Sequence, residues 1–497
     1  MLRCLPAALF AAASLAAQDR AAVESWVASH QQAIIRELAE LASIPNVARD
    51  RDGIHRNAVY LKAMLERHGL AAEVLETAGN PLVYGERRAP GLARTVLYYL
   101  HYDGQPVDPA RWKQPDPFQP ILRDGRMEDG AREIPAFTSR ARFDDNWRLY
   151  GRSTSDDKGP IVAFCAALDA IGGKPSANVR VVLDGEEEAN SPSLAPAVAR
   201  YRDKFRADLL VVLDGPGHAT GRPTLTFGGR GEVSLELTVY GPKFALHSGH
   251  YGNWIPNPAV RLAQLLASMK DDQGRTTIAG FYDSVPPLTA EERRVLQAVP
   301  DDEAALLRLF GVARPDAVGE SLQEAIQYPS LNVRGVRSGY VGADARTIIP
   351  SEAVAALDIR LVKETLGEAQ VAKVLAHIRR QGWHIVEADP DDATRMRYPK
   401  LVRVARGEIT EAYRTDMADP EAVRLTQALD RSWGEPPVRI RTMGGTVPIT
   451  LFIRELGFPA VALPIVNFDN NQHSENENLR LGSLWRGIVS LAAALQM

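Results

Sequence analysis

The chain has 497 residues, more than one ordinary hydrophobic core accommodates, so at least two domains are expected. Its 45% hydrophobic and 24% charged residues are those of a water-soluble globular protein, and a formal net charge of −4 gives no electrostatic reason to bind nucleic acid or an anionic membrane. Beyond the N-terminus no apolar run reaches the roughly 18 residues that spanning a bilayer requires, so no membrane partner is expected.

The first element, "MLRCLPAALFAAASLAAQDR", carries one arginine, then a short apolar stretch, then small residues. That is the pattern of a secretory signal peptide over residues 1–17, cleaved near Ala16 or Ala17, and it predicts an exported, periplasmic or secreted protein. Cys4 leaves with it. Cys165 then stands alone in "IVAFCAALDAI", where it reads as a small core residue with no intrachain disulfide partner. "VESWVASHQQAIIRELAELASIP" is an amphipathic helix stopped before Pro45, and "IHRNAVYLKAMLERHG" is a second, with Gly69 as its C-cap.

Four short, nearly continuous apolar runs come next: "TVLYYL", "VRVVL", "DLLVVL" and "AVALPIV". Helical stretches at Pro160–Ile171 and Leu194–Tyr201 separate several of them, so the fold class is α/β, a mainly parallel sheet with helices on both faces. The middle of the chain differs. "RGEVSLELTVYG" and "SEAVAALDIRLV" alternate apolar and polar residues, and each precedes a helix, "NPAVRLAQLLASMK" and "GEAQVAKVLAHIRRQG". This β-α-β-α order predicts a small α+β domain inserted in the larger one. The expected division is 18–228 and 406–497 for the two parts of the larger domain and 229–405 for the insert. From about Asp271 to Gly339 one helical segment, "AEERRVLQAV", is expected.

The residues just past each apolar run carry the chemistry. His101 and Asp103 come after the first, Asp184 and the three glutamates Glu186, Glu187 and Glu188 after the second, Asp214 after the third, and Asn467, Asp469 and His473 after the fourth. Ligands in open α/β sheets bind at the carboxyl ends of the strands, so these groups are delivered to one edge. "GRSTSDDKGP" adds Asp156 and Asp157 at the start of a helix. Taken singly, each histidine reads as a loop residue and Asp156 as a helix-capping acid. Together they form a mixed histidine and carboxylate set suited to zinc, manganese or cobalt.

The five motifs "HYDGQP", "GRSTSDDKG", "DGEEEANS", "VVLDGPG" and "HSENE" stand in the order and approximate spacing of the M20 metallopeptidases, and the chain resembles that family from about Ala21 onward. The resemblance implies a dizinc-peptidase catalytic domain (phosphorylase/hydrolase-like) with an inserted lid and dimerisation domain. It implies two divalent ions per subunit, zinc first, with manganese or cobalt as alternatives: His101 and Asp214 on one, Glu188 and His473 on the other, Asp156 bridging. It makes Asp103 the carboxylate that orients His101, and Glu187 the general base rather than a ligand, while the role of Glu186 stays open. Three ligand carboxylates would offset three of four metal charges and a bridging hydroxide the fourth.

From the insert, "ALHSGHYGN" resembles a segment whose histidine, here His247, donates to the tetrahedral oxyanion of a partner subunit in dimeric relatives; His250 is the weaker candidate. Arg360 is the implied holder of a substrate carboxylate, against the simpler reading of an arginine paired with a surface acid. Gly444, Gly445 and Thr446 of "GGTVPI" form an implied substrate loop, although Met443 stands where relatives often have an acid. The function this implies is hydrolysis of peptide bonds in short peptides by an exopeptidase or dipeptidase. The alternatives are an N-acyl-amino-acid amidohydrolase and a metal-free binding module. The expected partners are a short peptide or N-acyl amino acid and a second copy of the chain, with the alternating strand Glu232–Tyr240 a candidate edge for pairing across the dimer axis.

Overall fold

A computed structural model of the chain describes residues 5–88, 90–445 and 449–497. The first helix is Leu5–Ala42, so the expected cleavage point falls within one continuous helix, and Met1–Cys4 of the expected signal segment lie outside the described residues. Among the described residues no helix is long and apolar enough to cross a membrane.

Two compact units divide the chain: one runs to Gly228 and resumes at Thr415–Arg441 and Leu451–Met497, the other comprises Gly229–Arg414 and Thr442–Thr450. The boundary expected at 405/406 falls inside the strand Leu401–Thr410, which pairs with Gly231–Tyr240 from Leu401 opposite Tyr240 to Thr410 opposite Glu232. The charged, Gly-containing stretch "RVARGEIT" of that strand has no buried residue, and so gives no hydrophobic signal of where the unit ends.

The first unit is built on an eight-stranded sheet in the order Ala71–Leu75, Leu82–Arg87, Asn178–Asp184, Thr95–His101, Leu209–Val212, Ala460–Ala462, Thr224–Thr226 and Val438–Ile440. The four central strands are the four apolar runs, and they are mutually parallel. Antiparallel pairing is confined to the flanks. The alternation of Tyr98 and Tyr99 shows why the runs are apolar throughout: Tyr98 packs on Phe164 of the helix Lys158–Ala170, with ring centroids 5.0 Å apart, while Tyr99 meets Phe452 from the opposite face at 5.8 Å. Cys165 is buried in that helix as a free thiol. From Thr95–His101 the chain proceeds to a neighbour on one side, Asn178–Asp184, and then to one on the other, Leu209–Val212. This reversal opens a crevice at the strands' carboxyl ends.

The second unit has a five-stranded sheet in the order Ser330–Arg337, Glu352–Leu361, Gly231–Tyr240, Leu401–Thr410 and His384–Val386, antiparallel except for the last pair. One face buries Val233, Leu235, Leu237, Leu357 and Ile359 against Leu262 and Leu265 of the helix Pro258–Ala267 and Val371 and Val374 of the helix Gly367–Arg380. Gly231–Tyr240 is therefore the central strand, paired on both sides, and not the free edge its alternation suggested: a half-buried strand alternates wherever it sits in the sheet. The edges are Ser330–Arg337, with Val333 and Val336 exposed, and the three-residue strand His384–Val386. The segment expected to hold one helix contains that helix, Ala290–Gln297, closed by a Thr289–Glu292 capping box, and also Glu303–Phe310, Leu322–Ala325 and the edge strand itself.

Candidate metal centre

In the ladder between the two central strands His101 lies opposite Asp184, so the turns beyond them, "HYDG" and "DGEEE", emerge side by side. Asp103 links them. Its Oδ1 accepts the backbone N–H of Glu187 at 3.1 Å and its Oδ2 that of Glu188 at 3.0 Å, while Oδ1 also faces His101 Nδ1 at 3.3 Å. One buried carboxylate thus sets the orientation of the imidazole and the position of both glutamates. Gly104, next along, passes so close to the neighbouring loop that a Cβ there would stand 2.3 Å from Ser153 Oγ.

His101 Nε2 points at Asp156 Oδ1 at 2.9 Å and lies 4.0 Å from Asp214 Oδ1. On the other side of Asp156, His473 Nε2 is 3.2 Å from Oδ2 and 3.3 Å from Glu188 Oε2. His473 reaches in from a left-handed backbone position, φ 60°, and is half exposed, so this side of the centre opens to solvent. Two triads result, His101–Asp156–Asp214 and Asp156–Glu188–His473, in each of which one donor atom per residue lies within 4.8 Å of the others, and Asp156 is common to both.

The electrostatics describe an incomplete cluster. Burial, then the charge of Asp156, pushes Asp214 up to about 6 and Glu188 up to about 7. Burial and then the charges of Asp214, Glu188 and Asp156 hold Glu187 well above the ordinary carboxylate range, against the pull of His101. Hydrogen bonding to Asp156 raises His473 to about 9. Asp156, despite burial, is held far below its usual range by the two imidazoles. Asp156 Oδ2 is buried with the His473 imidazole, 3.2 Å away, as its one neighbouring donor among the described residues, and that contact is poorly aligned, an arrangement that is costly unless a cation meets it. A divalent ion in each triad fits the donor chemistry: imidazole nitrogen and carboxylate oxygen, with Asp156 offering one oxygen to each.

Glu186 is no part of this set. It is buried and accepts the N–H of Asn80 at 2.6 Å and of Ser193 at 3.2 Å, so the three consecutive glutamates divide into one structural acceptor, Glu186, and two groups facing the triads, Glu188 within one of them and Glu187 beside it. Asp184 likewise turns inward, to Tyr99 and Ser191.

Sequence reasoning passed over the residue that shapes the Asp156 loop. Glu477, fully buried, accepts the backbone N–H groups of Ser153, Ser155 and Asp156 at 2.9, 2.9 and 3.0 Å, the Ser155 hydroxyl at 2.8 Å and Arg152 Nη1 at 2.8 Å. Its only trace in the sequence was its place in "HSENE", four residues past His473. Asp157 receives the His101 backbone N–H at 3.2 Å, and Gln105 donates to Glu188 Oε2 at 2.7 Å. Neither carried a signal apart from adjacency to a ligand.

The remaining candidates belong to the second unit. His247 is exposed; its Nδ1 accepts the Gly249 N–H at 3.0 Å, which in the neutral ring leaves the proton on Nε2 as a free donor. His250 lies beside it, ring centroids 4.6 Å apart. Arg360 is paired with Glu232 at 3.0 Å and Asp358 at 3.3 Å, and so has acidic partners of its own. Gly444 and Gly445 are exposed, and Thr446 lies outside the described residues. Met443 accepts the Arg230 backbone N–H at 3.2 Å.

A sequence model of peptidase family M20/M25/M40 matches residues 97–497. Among curated proteins, the chain is 27% identical over 486 residues to a Cys-Gly metallodipeptidase of Candida albicans, covering 93% of each chain. It is 25% identical over 495 residues to the human Beta-Ala-His dipeptidase, covering 95% of this chain and 91% of the other. Among solved structures, an M20 family metallo-carboxypeptidase from Sulfolobus solfataricus superposes with a TM-score of 0.75 at 28% identity, over 93% of this chain and 98% of that one.

Proposed function

The chain belongs to peptidase family M20/M25/M40, and from that premise we propose that it is a two-metal dipeptidase, cleaving short peptides that end in a free carboxylate. The observation that carries this reading is the sharing of Asp156 between two histidine–carboxylate triads, with Glu187 fixed beside them by Asp103. His101, Asp156 and Asp214 would hold one ion and Asp156, Glu188 and His473 the other, with zinc the proposed metal. Such a pair supplies Lewis-acid polarisation of the scissile carbonyl and a nucleophile from water at neutral pH.

The protein's own groups do the rest. Glu187, kept basic by burial and by neighbouring negative charge, takes the proton of the attacking water on its carboxylate and returns it to the leaving amine. Asp103 prevents the imidazole of His101 and the glutamate turn from drifting apart. His247, with its proton on Nε2, is the proposed donor to the oxyanion, and Arg360 with the Gly444–Thr446 loop the proposed recognition of the substrate carboxylate. The N-terminal segment 1–17 is the proposed export signal, and the exposed edge strand Ser330–Arg337 the proposed place where two copies meet.

The test is mass spectrometry of a mixed library of dipeptides and N-acyl amino acids incubated with metal-loaded protein. Dipeptides should be consumed, and a chelator should stop the reaction. Consumption of N-acyl amino acids alone would replace this reading with an amidohydrolase, and turnover unaffected by removing the metal would end it.

A further inference from the structure

A cavity of 440 Å³ lies wholly within the first unit. Its walls come from the loops that follow the strands Leu209–Val212 and Ala460–Ala462 and from the helix Leu481–Leu495. Neither Glu187 nor any residue of the two triads lines it, so it is separate from the place where a peptide bond would be cut.

Four arginines line the cavity, Arg148, Arg222, Arg480 and Arg486, against two acids, Asp145 and Asp469. Two of the arginines are answered. Arg148 is paired with Asp469 at 2.7 Å, and Arg222 with Glu435, outside the lining, at 3.4 Å. The other two have no ion pair among the described residues. Arg480 donates to neutral acceptors, the Asp145 carbonyl at 3.3 Å and Asn146 Oδ1 at 3.1 Å. Arg486 stands over the Trp433 ring, 4.4 Å from its centroid, and the ring is fixed in turn by its Nε1, which donates to Ser490 Oγ at 3.1 Å. Arg20 meets the same ring at 4.3 Å but has its own acid, Glu24, at 2.7 Å. The remaining lining acid, Asp145, is exposed.

Two guanidiniums that repel each other would ordinarily turn apart into water. Here Trp433 keeps one of them at the wall of a concave space that the other also lines, and a concave wall of one sign concentrates its field on whatever enters. Burial, then the charge of Arg20, and further that of Arg480, lower the Arg486 pKa against the pull of Glu435 and Asp145, so an added anion is favoured. A phosphomonoester carries close to two negative charges at neutral pH, one for each unanswered arginine, and its terminal oxygens suit guanidinium forks. The volume falls within the roughly 300–1,000 Å³ of small-molecule sites, far more than a bare phosphate ion fills. The rest of the wall is mixed, with the hydroxyls of Thr220 and Ser483 beside Pro223, Pro464 and Phe468, as a compact hydroxylated body requires.

We propose that this cavity binds a phosphomonoester of about the size of a hexose phosphate, its phosphoryl group held by Arg480 and Arg486 and its body lying against the Thr220 and Ser483 walls.

Titration calorimetry of the full, metal-loaded protein with glucose 6-phosphate, inorganic phosphate and glucose tests it. Glucose 6-phosphate should bind about tenfold more tightly than either of the others, and Arg480→Gln and Arg486→Gln should each weaken it by about tenfold or more. A phosphoryl group bound on the metal ions instead would make inorganic phosphate and glucose 6-phosphate equivalent and would ignore both substitutions. No binding of glucose 6-phosphate, affinity matched by inorganic phosphate or by glucose, or affinity unchanged in either variant would each overturn the proposal. Should a variant fail to fold by circular dichroism, the three-ligand comparison on the wild type still decides it. Calorimetry reads binding without turnover, so the outcome does not depend on the dipeptidase reading.

Discussion

Asp103 meets three demands with two oxygens: an imidazole edge and two backbone N–H groups. A glutamate there would add a methylene between loops already in contact. The chemistry is expected to rest on its neighbour. Glu187→Gln keeps the shape and removes the proton acceptor, so turnover should fall by about 100-fold or more while metal content, read by atomic absorption, stays at the wild-type level. Near wild-type turnover would move the base elsewhere. Glu477 makes the opposite prediction. Glu477→Gln leaves the buried Arg152, 2.8 Å away, without a counter-charge and weakens the acceptor for three backbone donors. It should cost about 3 kcal/mol in denaturant unfolding and lower metal occupancy, because the loop that aims Asp156 loosens. Wild-type stability with impaired turnover would mean that Glu477 acts in the chemistry and not on the loop.

Helices of the first unit are tied by polar groups at their ends. Lys158, fully buried, donates to the carbonyls of Leu41 at 2.9 Å and Ile44 at 2.7 Å, closing the end of the helix Leu5–Ala42 from the first turn of the helix Lys158–Ala170; burial drives its pKa well below that of an ordinary lysine. His68, the C-cap of the helix Arg51–Arg67, bridges to Asp169 at 2.8 Å and Glu37 at 3.1 Å, and so joins three helices. Burial opposes its charge, but the two carboxylates prevail and raise it from 6.5 to about 9. A raised folded pKa contributes stability in full below the unfolded value and loses it as pH rises through the folded one. Stability should therefore decline between pH 6.5 and about 9. The shift alone corresponds to about 3 kcal/mol, which solvent around this partly buried group reduces to about 2. Urea unfolding of His68→Gln across that range should lack the decline; an identical slope in both proteins would assign it to other groups.

At the scale of the whole molecule, the proposed role of His247, a residue of the second unit, in the chemistry of the first can be tested by complementation. If the proposed dimer supplies His247 from its partner, two inactive proteins should complement. Mixed and allowed to exchange subunits, His247→Ala and Glu187→Gln protein should form a heterodimer with one doubly defective site and one intact site, and activity should return toward half per heterodimer. Exchange, confirmed by native mass spectrometry, without recovery would mean that His247 acts within its own chain or not at all. The pairing surface expected from the sheet order is Ser330–Arg337, whose outer backbone groups have no strand beside them, unlike those of Gly231–Tyr240.

The sequence by itself determined the parallel core and the order of the metal-facing residues, because both are local. A strand covered on two faces must be apolar throughout, and the residue after it must stand at the strand's end; "TVLYYLHYD" encodes both in nine letters. The resemblance carried by the order of its motifs also directed two of the three glutamates toward a cation pair, the role proposed for them above. Tertiary structure alone decided what Glu186 does. Glu186 is fixed by Asn80 and Ser193, 106 and 7 residues distant, and no pattern within "DGEEE" distinguishes it. The same holds for Glu477, whose donors lie more than 320 residues earlier, and for the strand Ser330–Arg337, whose exposed face leaves no alternation to read. Hydrophobic periodicity reports which face of an element is covered. It does not report which partner covers it, and buried polar side chains are positioned by partners.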